Sequence, residues 1–271
     1  MDLEFDLGAA AGYRSLSQSA RAVTEGWVAR EMYCLACDSP RLDPTRGNTR
    51  SRDFECAECD EPYELKSSAR RFGDRVLDGA YATMRATVES GRTPNLLLLE
   101  YDRPWRGVRN LYAVHRGLLT PASIVRRSAP LGPHARRAGW WGCSIDLAAI
   151  PSGARIPVVD EREARPAFDV RSDWGRFAFT VRLRSLSRGW VADTLSCLDR
   201  LPEAGPFRLE DVYVFERDLQ ALHPENRNVR PKIRQQLQVL EKRGIIHRLR
   251  PGLYERSVSP QGGLSRDSAT G

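Results

Sequence analysis

The chain has 271 residues, 41% of them apolar and 28% charged, with a formal net charge of +7. That length suits one large or two medium domains, and the apolar share is enough to build a core. No run of eighteen apolar residues occurs and the start, Met1-Asp2-Leu3-Glu4, is acidic, so neither a membrane span nor a signal peptide is expected. A cytoplasmic location follows, where cysteines stay reduced and CxxC pairs read as metal ligands before disulfides. The basic balance, with a pI near 9.3, is compatible with a polyanion partner. Arginine supplies most of the positive charge; GC-rich coding and bidentate contacts to phosphate or guanine explain that bias equally well.

In chain order, residues 9–31 predict a helix with Ala20, Val23, Trp27 and Val28 inward. It leads into Cys34-x2-Cys37, followed by a loop over 38–52 rich in Asp, Pro, Arg, Gly and Asn, and then Cys56-x2-Cys59. Short strands are expected at 52–55 and 63–67. A helix is expected over 74–90, with Val76, Leu77, Ala80, Tyr81, Met84 and Val88 on its apolar face. Asn95–Tyr101 reads as a buried central strand and Leu111–His115 as its neighbour, giving an α/β core. Residues 121–141 read as a loop-rich basic segment holding Arg126, Arg127, Arg136, Arg137, Trp140 and Trp141. A last strand is expected at 154–159, and residues 160–176 show no clear period.

A second unit begins near Leu183. Helices are expected at 189–201, 209–222 and 230–243, the last with Ile233, Leu237 and Leu240 inward and Gly244 as its stop. A β-hairpin turning at Pro251-Gly252 follows, and three helices then a hairpin is the order of a winged helix. The expected division is 1–182 for the α/β domain, 183–256 for the winged helix and 257–271 for a disordered tail.

Two constellations carry chemistry. Cys34, Cys37, Cys56 and Cys59 have the spacing of a structural zinc site, each CxxC turning two sulfurs toward one ion. Cys143 and Cys197 stand apart and are expected to be core thiols. Asp53, Glu64 and Lys66 have the spacing of a metal-dependent nuclease centre. Phosphodiester hydrolysis needs neutralised phosphate charge and an activated water, and two carboxylates can hold Mg²⁺ for the first task. On a strand, Glu64 and Lys66 point to one face, while Leu65 points to the core and offers its carbonyl to the metal. Lys66 would orient the water or help deprotonate it. Asp…Glu-x-Lys is weak alone, since charged chains offer it by chance; a helix before, a buried strand after and a DNA-binding-like unit downstream strengthen it.

Taken together, the segments Ser17-Gln18-Ser19-Ala20-Arg21, Thr24-Glu25-Gly26-Trp27-Val28, Asp53-Phe54, Glu64-Leu65-Lys66-Ser67 and Asp78 to Met84 resemble the DpnI-type restriction endonucleases. The likeness continues through Ala135 to Trp140, Ser187 to Trp190 and Lys232 to Gln238, over roughly residues 1–255. Residues 38–52, 160–180 and the tail depart from that pattern. The resemblance implies a bacterial PD-(D/E)xK nuclease domain with an embedded zinc site, followed by a winged helix. It also implies Mg²⁺-dependent cleavage of double-stranded DNA at GATC carrying N6-methyladenine. Asp53, Glu64 and Lys66 fall on the family's catalytic motif, and the four cysteines on its zinc ligands.

A methyl on adenine N6 projects into the major groove, where an apolar wall can meet it. Trp140 is the expected wall, with Arg136 and Arg137 contacting guanine or phosphate. On the helix at 230–243, Lys232, Arg234, Gln235, Gln236 and Gln238 are candidates for base reading, and Arg248 and Arg250 on the hairpin for phosphate. A monomer is expected, and one Asp/Glu/Lys set cuts one strand per event. The competing readings are a non-cleaving zinc and winged-helix reader of methylated DNA, whose acidic cluster is incidental, and a repair nuclease acting on structured DNA.

Overall fold

The computed structural model describes residues 1–45, 52–102, 107–202 and 205–257. Residues 46–51 of the expected loop, and the expected tail from 258 onward, lie outside them. The helices are α1 (Leu16–Glu31), α2 (Tyr81–Glu89), α3 (Ala167–Gly175), α4 (Ser185–Asp199), α5 (Leu209–Tyr213), α6 (Glu216–Leu222) and α7 (Val229–Lys242). The strands in the first part are β1 (Asp43–Pro44), β2 (Phe54–Glu55), β3 (Pro62–Ser68), β4 (Arg75–Ala80), β5 (Asn95–Tyr101) and β6 (Val108–Val114). They continue with β7 (Ile124–Arg126), β8 (Gly142–Asp146), β9 (Arg155–Asp160) and β10 (Glu163–Ala164). The last three are β11 (Phe207–Arg208), β12 (Ile246–Arg250) and β13 (Leu253–Arg256).

The main sheet runs β1-β2-β3-β5-β6-β9-β10. Among the described residues only β3 and β5 pair in parallel, with β4 and α2 forming the crossover between them. All seven residues of β5 are buried, so both faces of the sheet are covered there. On one face lies α1, whose Val23, Trp27 and Val28 are buried and whose Thr24 Oγ1 lies 3.3 Å from Ser67 Oγ of β3. Trp27 also donates its indole N–H to the Asp2 carbonyl at 2.9 Å, which satisfies its polar edge in the core. On the other face stands a smaller sheet, β4-β8-β7.

Four expectations for the first part of the chain need correction. The first helix starts at Leu16; residues 7–10 form a separate 3-10 turn that packs against it. Residues 75–80, expected to be helical, form β4, and helix begins only at Tyr81. Val76 is buried while Leu77 is exposed, the alternation of a strand with one face covered. The basic segment 121–141 opens with β7, which pairs antiparallel with β8 just past its end, a long loop joining the two. Residues 160–176, left without a period, contain β10 and α3.

The C-terminal unit is helical with a small sheet of order β11-β13-β12. The expected helix over 209–222 is two, α5 and α6, broken at Val214–Phe215; Val212, Phe215 and Leu219 are buried as expected. Ile233, Leu237 and Leu240 of α7 are fully buried. Gly244 ends that helix with φ of +65°, a conformation that L side chains resist. Helix α4 docks this unit on the first. The buried Arg188 donates to the Val88 carbonyl at the end of α2 (2.9 Å), and Asp199 accepts from the amide and hydroxyl of Ser152. A cation at a helix C-terminus is favourable both to the open carbonyls and to the helix dipole.

Candidate metal and nuclease centres

Strand β3 carries two sites on opposite faces, because alternate side chains of a strand point opposite ways. Tyr63 points to the cysteines. Its hydroxyl accepts from the Leu35 amide at 3.1 Å and lies 3.4 Å from Cys34 Sγ, where it donates to a thiolate. The sulfurs of Cys34, Cys37, Cys56 and Cys59 all lie within 4.8 Å of one another. Cys34 and Cys59 are 3.7 Å apart and Cys37 and Cys56 3.5 Å. A tetrahedral zinc with bonds of about 2.3 Å sets its sulfurs about 3.8 Å apart, so the four thiols fit that ion. Burial works against the Cys56 thiolate, yet the amides of Glu58 and Cys59 outweigh it and leave its pKa at about 7. The set can hold a zinc ion. Cys143 and Cys197 are buried elsewhere, as core thiols are.

Helix α3 braces this knuckle, which sequence reasoning missed. Arg171 donates to the carbonyls of Cys34 and Ser39, both at 3.0 Å, and stacks over the Tyr33 ring. Trp174, fully buried, packs beside Tyr63 and His115. A charged, proline-bounded segment hides such a helix, because one tryptophan is its main apolar anchor.

Glu64 and Lys66 occupy the opposite face. Lys66 Nζ donates to Glu64 Oε1 at 2.6 Å and to Asp78 Oδ1 at 2.9 Å. Asp53, the residue before β2, accepts the Leu65 amide on Oδ2 at 2.9 Å, so it stands beside Glu64 across the β2–β3 pair. Leu65 itself is half-buried against the core. Glu64 Oε2 and Asp78 Oδ2 are buried without a hydrogen-bond partner among the described residues. Burial pushes the Glu64 carboxyl up, Lys66 pulls it down, and Asp78 and Asp53 push it up again, leaving it at about 7. Burial also opposes the Lys66 ammonium, but Glu64 and Asp78 outweigh it and hold its pKa above the ordinary value. The three carboxylates do not converge as the thiols do; among the described residues only the cysteines form such a close group. Their oxygens, two of them unpartnered, are nonetheless the donor type that Mg²⁺ takes. Asp78 is the residue here that the Asp…Glu-x-Lys spacing omits.

The expected reading residues lie in two places. Arg136, Arg137 and Trp140 sit in the β7–β8 loop, which the Leu131 amide and the Trp140 carbonyl close at 2.9 Å. Both arginines are exposed and Trp140 is half-buried. Trp140 lines a cavity of about 210 Å³ with Arg127, Pro130, Leu131 and Gly142. A Cβ at Gly142 would stand 2.7 Å from the indole, so only glycine lets the ring lie so close to the backbone. Strand β8 pairs Gly142 with Ala80 and Cys143 with Asp78, which sets this loop at the end of the sheet that supplies Asp78.

On α7, Arg234, Gln235 and Gln238 are exposed, while Gln236 is buried and faces inward, which removes it from the five candidates for base reading. Arg234 is tied to the Tyr213 hydroxyl and Lys232 to Gln235, each at 2.8 Å. Arg248 and Arg250 are exposed on β12. Among the described residues no helix is long and apolar enough to cross a membrane.

Comparison with known families agrees with this layout. The family model described as DpnI, Dam-replacing family, matches residues 1–184, and that of the Dam-replacing HTH domain matches residues 186–256. The second match makes DNA the partner of the C-terminal unit. The chain belongs to the Dam-replacing family of the DpnI type, broadly methylation-dependent restriction nucleases.

Proposed function

We propose that the protein is a type II restriction endonuclease that cleaves double-stranded DNA at GATC sites carrying N6-methyladenine. In this reading residues 1–182 form a PD-(D/E)xK nuclease domain and residues 183–256 a winged helix. The helix and strand order α4-β11-α5-α6-α7-β12-β13 supports the second assignment. The observation that carries the catalytic one is Lys66 held by Glu64 on the face of β3 away from the thiols, with the Asp53 carboxylate on the intervening Leu65 amide.

Asp53, Glu64 and the Leu65 carbonyl would hold Mg²⁺, which when bound supplies Lewis-acid neutralisation of the scissile phosphate. The remaining work belongs to the chain. Lys66 stays protonated between its carboxylates, so it donates hydrogen bonds and orients the attacking water or a phosphate oxygen. Burial keeps bulk water from Glu64 and strengthens the local field. Zinc on the four cysteines holds the chain around β2 and β3, and with it the spacing between Asp53 and Glu64. Trp140 forms the wall for the methyl group, with Arg136 and Arg137 on guanine or phosphate. Lys232, Arg234, Gln235, Gln238 and Arg248 contact DNA from the winged helix. The chain acts as a monomer.

The test is a plasmid digested in Mg²⁺ buffer with and without adenine-methylated GATC, beside an Asp53→Ala control. Discrete fragments from the methylated form alone, absent in the control, are expected. A band shift on methylated DNA without cutting would favour the reader, and equal cutting of both forms would remove the methyl-reading role of Trp140.

A further inference from the structure

The cluster around Lys66 contains a carboxylate from outside the β2–β3 hairpin. Asp78 stands on β4, in the smaller sheet. Its side chain is 8% exposed, its Oδ1 accepts from Lys66 Nζ at 2.9 Å and from the Gly79 amide at 2.7 Å, and its Oδ2 has no partner among the described residues. Glu64 mirrors it, with Oε1 on Nζ at 2.6 Å and Oε2 unpartnered.

We propose that Asp78 is the positioning residue of Lys66: its Oδ1 and Glu64 Oε1 form a fork that fixes Nζ for the cleavage step. The proposal rests on reading this cluster as the cleavage centre. A lysine ammonium rides on a flexible four-carbon stem and has no fixed direction of its own. Glu64 lies on the same strand as Lys66 and moves with it, so it gives no external reference. Asp78 does, because it belongs to another sheet and its carboxylate is oriented by the Gly79 amide. One anchor leaves Nζ anywhere on a sphere around it, and a second anchor from another sheet narrows that range sharply. A buried carboxylate oxygen without a partner costs free energy, and such costs gather where geometry matters more than stability. An alternative role is open to Asp78 through Oδ2, as a direct ligand of a divalent ion, and the two roles separate experimentally.

The full chain is prepared as parent, Asp78→Asn, Lys66→Ala and the double variant. Cleavage of methylated plasmid is followed under single turnover in Mg²⁺, DNA affinity by band shift without divalent ions, and fold by zinc content and melting temperature. We expect Asp78→Asn to cleave about 100-fold more slowly, the loss that misplacing a reacting group typically brings. DNA affinity and zinc content should hold, and the melting temperature should stay within about 4 °C of the parent. In the Lys66→Ala background the same change should bring no further loss, since residues acting as one unit are not additive. Equal losses in both backgrounds would make Asp78 independent of Lys66 and overturn the proposal, as would an unchanged rate. Should Asp78→Asn not fold, Asp78→Glu carries the same test: folded and slow supports the proposal, folded and as fast as the parent overturns it. If neither folds, Asp78 is structural and the proposal falls. A parent that cuts no DNA at all overturns the reading of the site itself, a result distinct from these.

Discussion

The two faces of β3 make an instructive pair. On the Tyr63 face, four thiols converge within 4.8 Å, amides support the sulfurs, and Arg171 ties the knuckle to α3. On the Glu64–Lys66 face, one ammonium lies between two carboxylates with Asp53 on the Leu65 amide beside them, two buried oxygens have no partner among the described residues, and burial pushes the Glu64 carboxyl up to about 7. The first arrangement resembles a core with an ion in place of side chains. The second keeps groups in tension, as sites that act on a substrate do. Sequence spacing alone treats both as clusters of ligands; burial and hydrogen bonding tell them apart.

Removing a thiol should break the comparison most completely. In Cys34→Ser, zinc binding and folding should fail together, since a structural zinc contributes on the order of 10 kcal/mol to the fold that holds it. Metal content and the cooperative melt report both. A variant that keeps its melt and its cleavage without zinc would make the Tyr63 face dispensable and the contrast empty.

The opposite face should respond the other way. Glu64→Gln should abolish cleavage yet raise the melting temperature at pH 8 in the absence of divalent ions. The sign follows from linkage. The folded carboxyl sits near 7 and its ordinary value is 4.5, so between these pH values the folded chain holds more proton than the unfolded one. Stability conferred below pH 4.5 is therefore lost as the pH rises to 7, by on the order of 2–3 kcal/mol. His115 slopes oppositely: burial, aided by Arg116, lowers it from 6.5 to about 3, so acid in that range favours unfolding. The difference between parent and Glu64→Gln across pH 5–8 isolates the carboxyl. A flat difference would show that Glu64 sits in ordinary solvent-like surroundings.

The legible parts of the molecule were those written locally. Cysteine spacing brought out the knuckle, strand periodicity put Glu64 with Lys66, and an unbroken apolar run marked β5. The 3.6-residue spacing of α7 gave its inward face, on which Gln236, one of the five candidates for base reading, also sits. What sequence hid was decided by distant partners. Residues 75–80 carry apolar side chains at spacings a helix also satisfies, and only pairing with β8 makes them a strand. Asp78 lies in that stretch, so its place beside Lys66 depends on the same pairing. Arg171 looked like one of many arginines until the fold laid it over Tyr33 and the Cys34 carbonyl.

The smallest expected effect sharpens the contrast at its reading end. Trp140 lies at the cavity beside β8, at the end of the sheet that also supplies Asp78 and apart from the four thiols. Trp140→Ala should therefore leave zinc content and melting temperature near the parent's, while the ratio of cleavage on methylated over unmethylated plasmid falls about tenfold or more. That corresponds to the 1–3 kcal/mol that one methyl against an apolar wall can supply. Because one methyl yields so little, a strongly selective enzyme must meet it more than once, on both strands or with both units. A ratio unchanged by Trp140→Ala would move methyl reading to the winged helix, where Gln235 and Gln238 become the next residues to alter.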